Sequence, residues 1–472
     1  MSYNLAPFHF ASFQDTIMLT NDAGRFIFMP QESFSAFVQG CLNSSDAYYD
    51  MLNNHGFLIS QSKQSFVDYW ASEIRYNKSC HFQATQLFIL VLTTACNQQC
   101  LYCQASAGKN AFHMTLDTAI HAIDIAFESP ASYITIEFQG GEPSLNDGVL
   151  RDAIVYARKK EKESNKEVSL TLVTNFTSAN EEQLDWLMSK QVSICTSLDG
   201  PPALHNRNRP LLSKKDSYNC FEKGAQIFLD LCTKHNMPPI IQAIQTTTRF
   251  PLSLGREIVD EYRKWNIESI YLRPLTPLGL ASTNWNHIGY TPTEYIMFYI
   301  DVIEYMLSLE KRGIPIRETT ASMYLRRILK NEALHHSEFR SPCGGAVGQM
   351  AIDYNGKIYT CDEARMLASL GDDSFLLGTV NNTYRELIKS PVAHALCTAS
   401  CIEALPMCSD CVYQPYCATC PVVTYGIDKT LFSSETEGYR CAIAKGILSF
   451  FFSLIKKNDE EEMEILYRWA EF

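Results

Sequence analysis

Three cysteines lie within eight residues of the stretch TTACNQQCLYCQASAG, residues 93–108. Cys96, Cys100 and Cys103 follow the spacing C-x3-C-x2-C. Thiolates so spaced on one loop can converge on a single metal centre. A structural zinc site takes four ligands, and cysteines usually fill all four corners of a four-iron cluster. Three cysteines would leave one iron free to bind another molecule, while a zinc site or three unrelated thiols are the simpler alternatives.

A second concentration of cysteines lies between residues 343 and 441, which hold nine of the chain's 17. Disulfides are disfavoured in a reducing compartment, so patterned cysteines there indicate metal binding or catalysis. The run C-x2-C-x5-C-x2-C within this region is more compact than zinc sites usually are, although a zinc ribbon remains the alternative. We expect the scattered cysteines to be buried core thiols, namely Cys41, Cys80, Cys195, Cys220 and Cys232.

Composition limits the classes of function. The chain has 472 residues, with 40 basic against 52 acidic side chains, a net charge of −12. Such acidity argues against general nucleic-acid binding, which depends on neutralising phosphates. The N-terminal stretch has neither a basic nor an apolar signal region, and the longest apolar runs, 87–92 and 446–455, are too short to span a bilayer. We therefore expect a cytoplasmic protein with no membrane span.

The elements that would position the first cysteines alternate regularly. Six β-rich runs lie at 87–93, 134–140, 169–175, 192–198, 239–246 and 269–275, with helical periodicity between them. This alternation predicts an α/β fold with a parallel sheet and right-handed crossovers. Six units are too few for an eight-fold barrel, so we expect a partial (β/α)6 barrel. Parallel α/β folds bind ligands at the carboxyl ends of their strands, where the cysteine loop lies.

The regions before and after the predicted barrel have different sequence patterns. A hairpin turning at residues 21–24 precedes helical segments at 31–41, 45–54 and 63–76, which together predict a winged-helix-like module. Residues 292–333 are helical, the chain is rich in loops from 341, and 443–471 is an amphipathic helical tail. The predicted domains are an N-terminal module (1–80), a partial barrel (81–290), a helical linker (291–340), a cysteine-rich domain (341–445) and a C-terminal helix (446–472).

C-x3-C-x2-C with an aromatic residue, Tyr102, before the third cysteine resembles the signature of the radical S-adenosylmethionine (radical SAM) superfamily. The resemblance implies that the three cysteines hold a [4Fe-4S] cluster and that S-adenosylmethionine binds its open iron. One electron from the cluster then cleaves a C–S bond, and the resulting 5′-deoxyadenosyl radical removes a hydrogen atom from an unactivated carbon. An external electron donor such as flavodoxin or ferredoxin is also implied.

Further residues at strand ends fit this resemblance. The resemblance implies that the backbone and Glu142 of GGEP, residues 140–143, hold the amino group of the methionine moiety. Ser197 and Asp199 are similar to the family's ribose and methionine-carboxylate contacts. Arg273 could pair with a carboxylate or be a solvated charge. The residues expected to bind the cofactor are Tyr102, Gly140, Gly141, Glu142, Pro143, Thr174, Asn175, Ser197, Asp199 and Arg273.

The C-terminal pattern resembles the SPASM extension of peptide-modifying radical SAM enzymes, which holds auxiliary [4Fe-4S] clusters. The resemblance implies that Cys343, Cys361 and Cys420 bind the first auxiliary cluster, and that Cys408, Cys411, Cys417 and Cys441 bind the second. The family has x3 before the cysteine that corresponds to Cys420, where this chain has x2. The fourth ligand of the first cluster could be Cys397, Cys401 or no protein group.

Asp362, directly after Cys361, matches the proposed proton acceptor of anaerobic sulfatase-maturing enzymes. A carboxylate beside a cluster and within reach of substrate is a reasonable general base. A structural aspartate paired with Arg365 is the alternative.

Longer strings, including IEFQGGEPSLN (136–146) and CSDCVYQPYC (408–417), resemble the radical SAM maturase of the His-Xaa-Ser peptide system. This resemblance implies a ribosomally made precursor peptide as substrate, a side-chain cross-link as product, and a second radical SAM maturase as a possible partner. The N-terminal module would bind a leader peptide by strand addition, or else act as a packing cap on the barrel. The alternatives are a formylglycine-forming or epimerising maturase, and a non-catalytic metal-bearing scaffold.

Overall fold

The computed structural model describes residues 3–60, 62–105, 107–108, 111–334, 339–432 and 438–471. The chain begins with a module of short strands and helices. Its elements are β1 (Asn4–Leu5), β2 (His9–Phe13), β3 (Thr16–Thr20), β4 (Phe26–Met29), α1 (Gln31–Val38), α2 (Tyr49–Asn54), β5 (Leu58–Ile59) and α3 (Lys63–Asn77). Strands β3 and β4 form the predicted hairpin. Gly24 has a φ of 75° in its turn, a conformation that glycine adopts without steric cost.

The barrel region alternates strands and helices as predicted. Its elements are β6 (Leu87–Thr93), α4 (Leu116–Glu128), β7 (Tyr133–Gly140), α5 (Asp147–Lys162), β8 (Glu167–Val173), α6 (Glu181–Ser189), β9 (Val192–Ser197), α7 (Pro202–Asn208), α8 (Ser217–Lys234), β10 (Gln242–Thr247), α9 (Gly255–Lys264), β11 (Ser269–Pro274), α10 (Leu280–Thr283) and α11 (Trp285–Ile288). The six strands pair in parallel in sequence order. The fold is thus an α/β fold with a partial (β/α)6 barrel.

Strand β7 shows how each strand divides its side chains between two surfaces. Ile134, Ile136 and Phe138 are fully buried among the surrounding helices, whereas Glu137 and Gln139 face the lumen. Successive strand residues point to opposite sides, so this period of two gives an apolar outer layer and a polar inner wall. The lumen is therefore an open polar cavity and not the layered apolar interior of a closed eight-fold barrel.

The sheet extends beyond the barrel at both edges. After β11 come α12 (Pro292–Glu310), β12 (Arg317–Glu318) and α13 (Thr319–Leu325), and β12 pairs in parallel with β11. The predicted helical linker therefore also contributes a strand. At the other edge, β13 (Gln349–Ile352) pairs in parallel with β6, followed by β14 (Lys357–Tyr359) and β15 (Leu376–Thr379). The short extra strands satisfy the backbone groups that an open barrel would leave at its edges.

The rest of the cysteine-rich region is mainly helical. Its helices are α14 (Asp362–Ala368), α15 (Tyr384–Ile388), α16 (Pro391–Ala399) and α17 (Pro421–Asp428), followed by α18 (Tyr439–Lys457) and α19 (Glu460–Trp469). The prediction of a single tail helix from 446 is wrong: the first of two helices begins earlier, at Tyr439, and Asn458 divides them with a left-handed φ of 52°. Phe452 of α18 packs against Phe26 and Phe28 of β4, which joins the two ends of the chain.

The scattered thiols differ in exposure. Cys80 and Cys232 are buried as predicted, but Cys41 is exposed, Cys220 is only partly buried and Cys195 lines the barrel lumen. The burial prediction is wrong for Cys41 because its loop, after α1, lies at the surface. No helix in the described ranges is both long and apolar enough to cross a bilayer.

Candidate functional site

The loop after β6 brings Cys96, Cys100 and Cys103 to the wall of one cavity of about 660 Å³ at the carboxyl ends of the barrel strands. The backbone holds this loop in place from outside. The Gln99 N–H donates to the carbonyl of Pro210 at 2.8 Å, and the Leu101 N–H donates to the carbonyl of Asn208 at 2.9 Å. The thiols therefore face the cavity from a loop anchored to the segment that follows β9.

The three thiols act on one another electrostatically. Burial raises the pKa of Cys96 to about 11 and that of Cys100 to about 12, and the Cys103 charge adds to both. Within the described residues, no group of three or more His, Cys, Asp or Glu side chains surrounds a single metal ion. A four-iron cluster is larger than one ion and suits three thiols spaced around a cavity. Its irons would stabilise the thiolate forms, which burial disfavours.

Gly140 and Gly141 are required by the cysteine loop itself. A Cβ on Gly140 would lie 2.5 Å from the Thr93 carbonyl oxygen, and one on Gly141 would overlap the Ala95 carbonyl oxygen. The Gly141 N–H donates to the Thr93 carbonyl at 2.7 Å, and the Glu142 N–H donates to the Ala95 carbonyl at 2.8 Å. Both glycines line the cavity. They also let the end of β7 pack directly on the backbone that leads to Cys96.

The structure gives Glu142 partners other than the expected methionine amino group. Its carboxylate is fully buried and accepts bonds from the Thr174 hydroxyl and the Asn175 N–H, both at 2.8 Å, and from the Ser144 N–H at 3.2 Å. It joins the ends of β7 and β8 behind the cavity wall. Thr174 and Asn175 themselves line the cavity. Pro143 is buried at the start of a short 3₁₀-helix, where its missing N–H costs nothing.

Asp199 also lies behind the wall. The Tyr102 hydroxyl donates to its two carboxylate oxygens at 2.8 and 2.9 Å, and the Asn208 amide donates at 3.0 Å. Asp199 is completely buried, so a direct contact with the methionine carboxylate, as expected from the sequence, does not fit its position. It instead holds Tyr102 and, through a 3.6 Å ion pair, Arg209.

Arg209 is the group at this wall that the sequence analysis missed. It lines the cavity, its Nη1 donates to the Tyr102 hydroxyl at 2.8 Å, and its buried Nε has no partner within the described residues. Burial lowers the pKa of Arg209. The negative charges of Tyr102, Cys100 and Asp199 have a larger effect, and they raise this pKa above its usual value. The guanidinium is thus a fixed cation at the cysteine wall, able to bind a carboxylate. Arg209 lies in a loop without periodicity, and its only signal was its place ten residues after Asp199.

Residues 90–241 match the family model of the Radical SAM superfamily. The match covers the cysteine loop and most of the barrel strands. Residues 90–241 therefore form a radical SAM domain. The cofactors of the superfamily are a [4Fe-4S] cluster and S-adenosylmethionine. Cys96, Cys100 and Cys103 line one cavity and are the thiols that could hold such a cluster.

Curated relatives support the same superfamily. The chain is 21% identical over 344 residues to the cysteine-type anaerobic sulfatase-maturating enzyme of Clostridium perfringens, which covers 70% of this chain and 87% of the relative. It is 22% identical over 347 residues to the enzyme of the same name from Clostridium novyi, covering 71% and 87%.

Solved structures show the same fold. The structure of anSMEcpe with bound AdoMet and the Cp18Cys peptide has a TM-score of 0.66 at 18% identity, covering 82% of this chain and 99% of that one. Streptococcus suis SuiB bound to its precursor peptide SuiA has a TM-score of 0.54 at 12% identity, covering 92% and 99%. The SuiB match therefore spans more of this radical SAM enzyme than the anSMEcpe match does.

The structure brings Cys343, Cys361 and Cys420 together. Burial raises the pKa of Cys343 to about 12, and the Cys420 charge adds to the shift; the pKa of Cys361 also lies well above its usual value. The neighbouring helix α16 carries Cys397, and Cys401 follows its end. Ser400, between these two cysteines, accepts a bond from the Cys343 N–H at 2.9 Å.

Cys408, Cys411, Cys417 and Cys441 form a second, separate group. Burial raises the pKa of Cys417 to about 12, and the charges of the other three thiols add to it. The N-terminal hairpin docks on this segment. The Tyr416 hydroxyl donates to the Gly24 carbonyl at 3.1 Å, and the Thr20 hydroxyl donates to the Val412 carbonyl at 2.7 Å.

Asp362 begins α14 and lines the same cavity as the first cysteine loop. Its Oδ1 accepts bonds from Arg365 at 2.6 and 3.1 Å. Arg273 and Ser197 also line the cavity, and Arg273 forms a 3.4 Å ion pair with Glu363. One continuous space thus joins the cysteine loop to the carboxylates beside Cys361.

Proposed function

We propose that this radical SAM enzyme modifies a ribosomally made precursor peptide by forming a cross-link between two side chains. The observation that carries the proposal is the shared cavity, which has the Cys96 loop on one wall and Asp362, next to Cys361, on another. A peptide segment in this space would lie between the place where a radical forms and a carboxylate beside a second group of thiols.

The chain's own residues would take distinct parts in this reaction. When bound, the clusters supply one-electron chemistry, which yields the 5′-deoxyadenosyl radical and removes the electron left on the substrate. Arg209 would bind the carboxylate of S-adenosylmethionine, and Thr174, Asn175 and Ser197 would contact its remaining polar groups. Asp362 would accept the proton released as the new bond forms. One hydrogen atom leaves in 5′-deoxyadenosine and the other as this proton, so the peptide loses two hydrogens.

Two thiol groups in the C-terminal region would hold auxiliary clusters. Cys343, Cys361 and Cys420 supply three ligands for the first, with Cys397 or Cys401 as the candidate for its fourth ligand. Cys408, Cys411, Cys417 and Cys441 supply a complete set for the second. We expect about eight to twelve irons per chain, with comparable sulfide.

The N-terminal module would bind the leader segment of the precursor. Strand β2 is at the edge of its three-stranded sheet, and Phe10 on that strand is 53% exposed. An edge strand offers unpaired backbone groups to which an extended peptide can add. The Phe10 ring packs at a tilt against Phe34, with ring centroids 4.9 Å apart, and would contact a side chain of the added strand. The resemblance of the longer strings to the His-Xaa-Ser maturase supports this substrate class and a second maturase as partner. We also infer a cytoplasmic location.

Formylglycine formation is the second candidate, because curated relatives are named cysteine-type sulfatase-maturating enzymes. The two reactions leave different masses. A cross-linked peptide is lighter by two hydrogens, whereas a cysteine converted to formylglycine also exchanges sulfur for oxygen. Epimerisation leaves the mass unchanged and introduces deuterium from heavy water.

The test is anaerobic turnover of the reconstituted enzyme with a flavodoxin or ferredoxin donor and with peptides encoded beside its gene. We expect 5′-deoxyadenosine and a peptide lighter by two hydrogens. The variant with Cys96, Cys100 and Cys103 all changed to Ala should lose 5′-deoxyadenosine formation and about four irons per chain, while Cys41→Ala, at an exposed thiol, serves as the control. Cleavage of S-adenosylmethionine by the triple variant would refute the assignment, and stoichiometric zinc without sulfide would favour a scaffold.

A further inference from the structure

Glu137 places a carboxylate on the inner wall of the barrel, in the interior of a parallel strand. In the sheet it lies between Ile89 of β6 and Thr171 of β8, and its side chain lines the cavity. It precedes Gly140 by three residues, so it lies about 10 Å below the strand ends where the cysteine loop begins. Glu137 therefore lies deeper in the lumen than the cysteine loop.

Several other buried carboxylates among the described residues each accept bonds from three or more donor groups. Glu318, for example, accepts the Tyr299 hydroxyl at 2.5 Å, the Ala321 N–H at 2.7 Å and the Leu272 N–H at 3.2 Å. Asp199 and Glu142 each accept several bonds as well. Such carboxylates hold neighbouring elements together, because several donors offset the cost of burying the charge.

Glu137 lacks this arrangement. Within the described residues its carboxylate accepts a single bond, from the amide of Gln139 at 2.5 Å, and that donor is neutral. The nearby cations are engaged elsewhere: Arg365 bonds to Asp362 at 2.6 Å and Arg273 pairs with Glu363 at 3.4 Å. Glu137 is thus held in a polar cavity with donor positions still open.

The charges around Glu137 favour a cation as the missing partner. Burial raises the pKa of Glu137, and the Asp362 charge raises it further. The Gln139 bond and the Arg273 charge lower it, but they do not cancel the increase. The cavity lining carries three carboxylates, of Glu137, Asp362 and Glu363, against the two guanidinium groups of Arg209 and Arg273. A buried carboxylate gains most from a charge-assisted bond, which is stronger than a bond to a neutral donor.

We propose that Glu137 is a specificity-determining residue that binds a basic side chain of the substrate peptide, lysine, arginine or protonated histidine, inside the barrel next to the modified residue. The inference rests on the proposed function and adds to it the chemistry of the substrate. The bound cation would pair with Glu137 and fix the depth at which the neighbouring residue meets the radical. The enzyme would recognise such a side chain inside the barrel, separately from leader binding at β2.

The test is a double-mutant cycle between enzyme and peptide. Each basic residue of a processed precursor is replaced singly by glutamine, and the apparent KM is measured with wild-type enzyme and with Glu137→Gln. We expect one peptide substitution to raise the KM of wild-type enzyme by about 10- to 100-fold, since bonds to charged groups are worth that much. The same substitution should have little further effect with Glu137→Gln. Glu137→Asp should restore part of the discrimination, and Glu167→Gln, on the exposed start of β8, should match wild type.

Several outcomes separate the two proposals. Wild-type KM values for Glu137→Gln, or losses that simply add for every basic residue, would overturn the role of Glu137 while leaving the maturase function intact. If wild-type enzyme modifies no peptide, the proposed function fails. Binding of a fluorescent lysine tripeptide and its norleucine counterpart to the iron-loaded enzyme then tests Glu137 without turnover. A preference for the lysine peptide that Glu137→Gln abolishes supports the role, and equal binding of both peptides refutes it. Iron content and the unfolding temperature verify that each variant folds.

Discussion

The hydroxyl of Tyr102 lies 2.8 Å from Oδ1 of Asp199, and this bond connects the cysteine loop to the end of strand β9. Tyr102 lies between Cys100 and Cys103, so the bond fixes the loop at the position where its last two thiols enter the cavity. Arg209 donates to the same hydroxyl and pairs with the same carboxylate. The aromatic residue of the C-x3-C-x2-C stretch thus orients the loop through a buried polar network.

Removing the Tyr102 hydroxyl should loosen this network. In Tyr102→Phe the Asp199 carboxylate loses one donor while remaining buried, which should cost about 1–3 kcal/mol of unfolding free energy. We also expect a lower iron content after reconstitution, because the loop is held less firmly. Chemical denaturation and iron analysis measure both effects. Tyr76→Phe, at a residue that is 57% exposed, is the matched control, and equal stability of the two variants would contradict the prediction.

Arg209→Gln should weaken binding of S-adenosylmethionine. A guanidinium facing a carboxylate contributes a charge-assisted bond that an amide replaces poorly, so the dissociation constant should rise by about 10- to 100-fold. Equilibrium dialysis with the iron-loaded protein gives the constant directly. Arg207→Gln is the control, since that side chain stacks 3.4 Å from the centre of the Phe250 ring. An unchanged dissociation constant for Arg209→Gln would exclude the proposed contact.

The buried imidazole of His205 should make the fold sensitive to acid. Burial lowers its pKa from 6.5 to about 3, and the Arg209 charge adds to the shift. The unfolded chain therefore binds the proton first as the pH falls below 6.5, and unfolding free energy is lost from there down to about pH 3. At pH 5 the loss from this one group is about 2 kcal/mol.

His205→Asn should remove that part of the pH dependence. Urea titrations of the variant and wild type at pH 7 and pH 5 isolate the contribution of His205, because other titrating groups are common to both chains. His287→Asn, in which the replaced ring packs on Phe250, tests for a general effect of losing a histidine. The same fall in stability between pH 7 and pH 5 in His205→Asn as in wild type would show that His205 titrates normally.

Phe10→Ser should reduce affinity for the precursor peptide. An aromatic ring contributes contact area to an added strand, and its loss should raise the dissociation constant by about tenfold. Fluorescence anisotropy with a labelled leader peptide measures this affinity. Met297→Ser, at a 68% exposed residue on α12, controls for the loss of an exposed apolar side chain. If the two variants bind equally well, the peptide binds elsewhere.

The barrel strands could be predicted from the sequence because each has several β-rich residues between helical segments. The hairpin of the N-terminal module could also be predicted, because its turn residues are typical of a hairpin. Strand β12 has only two residues and β13 has four, and both exist because a neighbouring edge offers them partners. Local sequence carries little information on such pairing, since it is determined by tertiary structure. The interpretation of 291–340 as purely helical therefore missed β12.

Residue type indicated which strand ends carry polar groups, but it did not indicate where they point. Glu142 and Asp199 follow their strands as expected, yet both bond to neighbouring loops behind the cavity wall. The direction depends on how close β7 and β9 pass to the cysteine loop, which the glycine contacts at Gly140 and Gly141 determine. Arg209 was missed because a residue in an irregular segment has no periodic signal.

The parallel pairing of β13 with β6 has a consequence for biogenesis. Gln349 and Leu87 are partners in this ladder although 261 intervening residues separate them along the chain. The strand that leads into the cysteine loop is therefore unpaired on one side until most of the polypeptide has left the ribosome. Iron delivery to that loop would then follow translation of β13, and truncations before residue 349 should accumulate as metal-free, aggregation-prone fragments.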